Sequence, residues 1–155
     1  MDTNNFNYVM EVDQTPSQVF NAVNNVKAWW LEDFRGSSAR VGDEFEVRYG
    51  DVHYSRHRLT ELVPDKRVVW LVTDSSLNFL QNKSEWNGTT QVFGITETGG
   101  KTRLEFTHIG LVPASECYND CRKGWTQFLE QSLQKLITEG TGDAAVMVPE
   151  MEAKK

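Results

Sequence analysis

The sequence predicts an α+β domain in which a curved antiparallel sheet of about six strands wraps around one long C-terminal helix, with two short helices after the first strand. Three observations predict it. Gly99-Gly100 separates two runs that alternate apolar and polar residues, which signals a hairpin. Several shorter alternating runs precede it. One sustained apolar stripe at helical spacing lies near the C-terminus, and it is the only large amphipathic cover for the apolar face of such a sheet.

The elements follow in order. Residues 8–13 alternate and predict a first strand. Thr15-Pro16-Ser17-Gln18 marks a helix start: Thr15 can cap, Pro16 suits the first helical position, and Gln18 can close the capping box. Val19, Phe20, Val23 and Val26 repeat at helical spacing and are expected to face the core, and the helical region ends near Trp29-Trp30. Gly36 and Gly42 punctuate a loop. Residues 43–49 predict a strand with Phe45, Val47 and Tyr49 on one side, and Gly50-Asp51 turns the chain into a long strand over 53–63. Pro64-Asp65 makes the next turn, and the β-branched run 68–73 the next strand. Residues 75–88 are polar and irregular, with Phe79, Leu80 and Trp86 as anchors. Residues 90–98 and 101–110 form the last two strands.

A two-residue loop at Gly99-Gly100 fixes a register. Thr98 faces Lys101, Ile95 faces Leu104, Phe93 faces Phe106, and Gln91 faces His108. Alternation then puts Phe93, Ile95, Leu104 and Phe106 on one apolar face, with Gln91 and His108 continuing it, and leaves Arg103, Glu105 and Thr107 in solvent. The same argument about Asp65-Lys66 places His57, Leu59, Glu61 and Val63 on the face shared with Val68, Trp70 and Val72, provided that no bulge intervenes.

Residues 114–139 predict one helix, with Trp125, Phe128, Leu129, Ser132, Leu133, Leu136 and Ile137 along its apolar stripe. Gly124 inside it costs about 1 kcal/mol relative to alanine, so a close contact or an opening is expected there. Gly140 ends the helix. The remainder lacks periodicity, which gives a single domain over 1–140 and a mobile tail over 141–155.

Composition narrows the function. The chain of 155 residues has the size of one domain, and its net charge of -6 argues against non-specific nucleic-acid or membrane-surface binding. No apolar run approaches the roughly 20 residues of a membrane span, and the polar start lacks a signal pattern, so a cytoplasmic protein is expected. Cys117 and Cys121, four apart on a helix, are expected as free thiols in a reducing compartment. The helix N-terminus can lower a thiol pKa, but two cysteines fall short of a zinc site and serve as well as small core residues. Neither a metal nor a cofactor is expected. No glycine-rich phosphate loop or nucleophile–base constellation occurs, which lowers the prospect of an enzyme. Arg56-His57-Arg58 is expected to be a solvated strand. Five Trp and eight Phe mark a large aromatic core or an aromatic-lined pocket.

Several segments resemble a known group. Residues 16–20, Val26-Lys27-Ala28-Trp29-Trp30, residues 102–111 and Gly124-Trp125 resemble START-like (SRPBCC) domains related to the activator of the heat-shock-protein-90 ATPase. Glu85-Trp86-Asn87-Gly88-Thr89, Glu116-Cys117-Tyr118-Asn119-Asp120-Cys121 and Ser132-Leu133 leading to Leu136-Ile137-Thr138 resemble one bacterial branch of that group. The resemblance covers roughly residues 8–140 and implies the helix-grip (START-like, Bet v 1-like) fold. It leaves the activity open, because the superfamily holds lipid carriers, hormone receptors, cyclases, oxygenase subunits and chaperone regulators. It brings no catalytic residue set.

The expected function is therefore non-catalytic binding of a small apolar, aromatic or lipid-like molecule between the sheet and the last helix, by a monomer. The candidate lining residues are His57, Trp70, Gln91, Phe93, Ile95, Leu104, Phe106, His108, Tyr118, Trp125, Phe128 and Leu129. His108, Gln91, His57 and Tyr118 would orient polar groups, although for His108 a structural histidine satisfied by backbone or a neighbour is the more common case. Two alternatives stand beside this. One is a chaperone-regulating interaction module, implied by the resemblance. The other is an enzyme on an apolar substrate with His57, Glu61 or His108 as acid or base.

Overall fold

Alternating sequence becomes strand along the whole chain. The computed structural model describes residues 5–31 and 33–142. It contains β1 (Phe6–Val12), α1 (Pro16–Asn24), α2 (Val26–Trp29), β2 (Asp33–Gly36), β3 (Glu44–Tyr49), β4 (His53–Val63), β5 (Arg67–Leu77), β6 (Thr90–Thr98) and β7 (Lys101–Ile109). The last helix follows as α3 (Tyr118–Gln127), a π-helical stretch (Phe128–Leu133) and α4 (Gln134–Glu139). The strands form one antiparallel sheet of seven in the order β1-β7-β6-β5-β4-β3-β2. This is the helix-grip architecture. The strand beyond the expected six is β2, four residues at the sheet edge with no alternation to announce it.

Local chemistry explains most boundaries. The Gln18 N–H donates to Thr15 Oγ1 at 3.2 Å and the Thr15 N–H donates to Gln18 Oε1 at 2.9 Å, which completes the capping box. Val19, Val23 and Val26 are buried, and Phe20 packs at the core margin. Gly99 and Gly100 both adopt left-handed φ, 60° and 80°, as a two-residue hairpin turn requires. The β6–β7 register pairs Ile95 with Leu104, Phe93 with Phe106 and Gln91 with His108, as the turn predicts.

The β4–β5 pair departs from expectation. The register shifts between Arg56 and His57 and again between Leu59 and Glu61. Thr60 is the extra residue at the second shift, and it reverses the faces beyond it. Leu62 packs on the core, whereas Glu61 lies outside with an ion pair to Arg67 at 2.7 Å and Val63 is exposed. The expected inward placement of Glu61 and Val63 is thus overturned by a bulge. Bulges bend and twist a strand pair, which helps this sheet curve around the helix. β5 also runs to Leu77, four residues past its expected end.

The centre of the grip is filled. Phe93 lies 4.8 Å from Trp70 and 4.9 Å from Phe106, ring to ring, with Trp29 6.1 Å away. The last helix starts at Tyr118 rather than 114, because Val112–Ser115 and Ser115–Tyr118 backbone bonds form turns first. In the π-helical stretch Phe128, Leu129, Ser132 and Leu133 are all buried, and Ser132 Oγ donates to the Trp29 carbonyl at 2.7 Å. After the helix the chain turns back, and a Cβ on Gly142 would overlap the Ala28 carbonyl oxygen. The rest of the expected tail, 143–155, lies outside the described residues.

Candidate functional site

The sheet opens at one end. β5 pairs with β6 only from Arg67 to Leu71. Val72 makes the last link, through Thr89 O and the Gly88 N–H. Beyond it, residues 78–89 cross the gap as a loop, and the first turns of the last helix face it. A cavity lies there. Its volume is about 60 Å³, and the hollow counted together with the open solvent at its mouth is about 570 Å³. Leu77, Val52 and His53 line it from the sheet, Phe79 and Trp86 from the loop, and Asp120, Cys121, Gly124, Trp125 and Phe128 from the helix. Trp30, just after α2, completes the wall.

Three indoles dominate this wall. Trp86 and Trp125 stack at 5.8 Å and 8°, Trp30 and Trp125 lie 4.8 Å apart at 34°, and Trp30 and Trp86 6.4 Å apart at 27°. The His53 ring stands edge-on to Trp30 at 5.6 Å and to Trp86 at 5.4 Å. Gly124 lines the cavity, so its missing side chain serves the opening. The wall offers apolar and aromatic contact, with polarity confined mainly to His53 and Asp120.

All three histidines are buried and neutral at physiological pH. Burial lowers His53 from the ordinary 6.5 to about 4 and His108 to about 3. His57 is held well below 6.5 by burial first, then by the charges that His53 and His108 would carry. Gln91 opposes this shift in part, although His57 Nδ1 and both Gln91 amide atoms have no hydrogen-bond partner among the described residues. His53 Nε2 lies 2.8 Å from Ser55 Oγ, which lies 2.8 Å from His57 Nε2. His108 stands behind the cavity wall, with the Trp125 indole N–H donating to its Nδ1 at 3.0 Å.

A reciprocal clamp holds the mouth. The Glu85 carboxylate accepts the N–H groups of Glu116 at 2.7 Å and Cys117 at 3.0 Å. The Glu116 carboxylate accepts those of Gln81 at 2.7 Å and Asn82 at 3.0 Å, and these bonds lower its pKa. Loop and helix start are thereby tied together, each capping the other's orphan donors.

Of the residues nominated from sequence, Trp125 and Phe128 line the cavity. Trp70, Phe93, Ile95, Leu104, Phe106 and Leu129 are buried in the packed core. His108 supports Trp125, His57 and Gln91 lie deeper than His53, and Tyr118 packs at the core margin. The structure does not bring Glu61 to His57, so that acid–base pair is absent. Arg56 and Arg58 point outward, and Arg56 bonds Glu44 at 3.0 Å. Cys117 and Cys121 are free and buried, and burial raises the Cys121 thiol, with Cys117 adding to the effect. The expected lowering by the helix dipole fails because the Cys121 N–H is already bonded to Cys117 O at 2.7 Å and the sulfur is out of water. His53 was not nominated. Its alternation with Ser55 and His57 was the signal that pointed to it.

Among the described residues, no group of three or more His, Cys, Asp or Glu is placed to hold a metal ion, and no helix is long and apolar enough to cross a membrane. The family model described as activator of Hsp90 ATPase homolog 1-like protein matches residues 13–138. The chain belongs to this family. The Aha1 protein of Colwellia psychrerythraea, solved as a dimer, superposes with a TM-score of 0.72 at 24% identity, over 89% of this chain and 98% of that one. The protein MLL2253 of Mesorhizobium loti superposes at 0.65 and 21% identity, over 84% and 96%. At these identities the likeness is one of fold. No curated protein sequence matches the chain significantly.

Proposed function

We propose that the cavity binds a small, largely apolar molecule whose flat ring enters among Trp30, Trp86 and Trp125. The observation behind this reading is an open hollow walled by three indoles, with little polarity in its lining. The cavity volume of about 60 Å³ is small beside the 300–1,000 Å³ typical of drug-sized sites. The inner space therefore suits one ring or a short chain, and a larger ligand would lie in the mouth over Phe79. Burying roughly 100 Å² of such a ligand contributes about 2.5 kcal/mol, so fragments would bind at roughly 10–20 mM and larger ligands more tightly. Two unpaired thiols support a reducing, cytoplasmic setting.

The test is an amide and indole NMR titration with toluene, naphthalene and a medium-chain fatty alcohol. Saturable shifts centred on the indole N–H signals of Trp30, Trp86 and Trp125 are expected. If none of the three moves those signals, the reading falls. Family membership supports a second reading, docking to a heat-shock-protein-90-type chaperone. It predicts shifts on an outer surface when the chaperone's middle domain is added, with the indole signals unmoved.

A further inference from the structure

Behind His53, which lines the same cavity, runs a buried polar chain that the binding reading leaves unused. His53, Ser55 and His57 occupy alternate positions on β4, so all three side chains point inward. Their hydrogen-bond chain has a direction, because Ser55 has a single hydrogen to give. In one state His53 Nε2–H donates to Ser55, Ser55 donates to His57 Nε2, and His57 carries its hydrogen on Nδ1. In the other, His57 Nε2–H donates to Ser55, Ser55 donates to His53 Nε2, and His53 carries its hydrogen on Nδ1. Both states contain the same number of protons and leave both rings neutral.

The two ends of the chain are unlike. At the deep end, His57 Nδ1 and the oxygen and nitrogen of the Gln91 amide are all buried and unpartnered among the described residues, and Gln91 acts on the His57 ring. Such an amide can turn its oxygen toward an N–H or its NH₂ toward a lone pair, so it accommodates either state. At the shallow end, the His53 ring lines the cavity. Its Nε2 is taken by Ser55, which leaves Nδ1 as the nitrogen to meet a ligand. His108 differs on each count. Trp125 can only donate, so His108 Nδ1 accepts, and Thr89 Oγ1, which donates to Trp86 O at 2.6 Å, must accept from His108 Nε2–H. That ring is locked, whereas the His53–Ser55–His57 chain is free to reverse.

We propose that the cavity takes an apolar molecule bearing one weakly acidic hydroxyl, phenolic or enolic, which donates to His53 Nδ1 and so sets the direction of the His53–Ser55–His57 chain. This rests on the binding reading above and names its ligand class. The hydroxyl keeps its hydrogen. Ser55 passes its hydrogen to His53 Nε2 and takes the Nε2 hydrogen of His57, so that His53 becomes the Nε2–H form, Ser55 donates to His57 Nε2, and His57 takes up a hydrogen on Nδ1 on the side of Gln91. One proton leaves at His53 Nδ1 and one arrives at His57 Nδ1 through solvent exchange, so the count is unchanged. Ionised ligands are disfavoured, because indole walls cannot solvate them and Asp120 repels anions.

The test uses the ¹⁵N-labelled chain, with long-range ¹H–¹⁵N spectra of the histidine rings recorded during titrations with phenol and, separately, toluene. Phenol is expected to bind about tenfold more tightly, the effect of one hydrogen bond. It should place His53 in the Nε2–H form and His57 in the Nδ1–H form, while toluene leaves their tautomer balance unchanged. In Ser55→Ala, His53 should still respond to phenol and His57 should not. Should that variant fail to fold, the wild-type spectra decide alone. Equal affinity for phenol and toluene, or tight phenol binding with His57 unmoved, overturns the inference and leaves the binding reading standing. If neither binds, both fall.

Discussion

The Trp125 indole N–H donates to His108 Nδ1 at 3.0 Å, so a residue of the cavity wall is held from behind by a buried ring on β7. The bond joins the last helix to the sheet. It also fixes the angle at which Trp125 faces the cavity.

Replacing His108 with alanine should therefore act twice. It leaves the Trp125 N–H and the Thr89 hydroxyl without their partner and opens a void. A loss of about 2–4 kcal/mol is expected in urea unfolding. The Trp125 indole signal should shift in the same variant. A stability change below 1 kcal/mol would show that the pair is incidental.

Acid should destabilise the fold well before its carboxylates titrate. His53, His57 and His108 all have folded pKa values below the ordinary 6.5, with His53 near 4 and His108 near 3. Between those values and 6.5 the unfolded chain binds more protons than the folded one. Stability is thus complete above about pH 6.5 and is lost as pH falls toward 4 and below. His53 and His108 each contribute about 2 kcal/mol of loss between pH 7 and pH 5, and His57 acts in the same direction. Denaturant unfolding across that range measures it, and a flat profile would contradict neutral buried histidines.

Glu85→Ala removes the acceptor for two backbone N–H groups at the start of the last helix. A cost of about 1–3 kcal/mol is expected. Faster amide exchange should be confined to residues 78–89 and 114–121, the two sides of the mouth. Exchange accelerated evenly across the sheet would mean that Glu85 acts globally rather than as a clamp.

Gly124→Leu projects a side chain into the cavity from a helical position. The backbone gains about 1 kcal/mol in helix propensity, so folding should persist while toluene binding is lost. Retained binding in a folded Gly124→Leu protein would place the ligand elsewhere.

Much of the fold could be read from the residues because the cues were local. The Thr15–Gln18 box, the glycine pair at 99–100 and the stripe from Trp125 to Ile137 each depend on neighbours a few positions away. From the hairpin register alone, Gln91 and His108 fell on the inner face. The β4–β5 register did not follow in the same way, since Thr60 carries no mark of the bulge it makes. β2 was likewise silent, being four residues that pair only because β3 offers an edge.

The sequence by itself determined most of the order of elements and the inner face of the last hairpin, because period and turn chemistry are properties of short stretches, and the resemblance of its motifs pointed to the family that the family model shows. Only the tertiary structure decided where space remains. Phe93 and Phe106 fill the middle of the grip with Trp29 and Trp70, and the opening moves to the end where β5 leaves β6. A cavity is what is left after distant side chains have packed. Its position depends on volumes summed across Trp30, His53, Trp86 and Trp125, residues far apart in the chain that meet only in the fold.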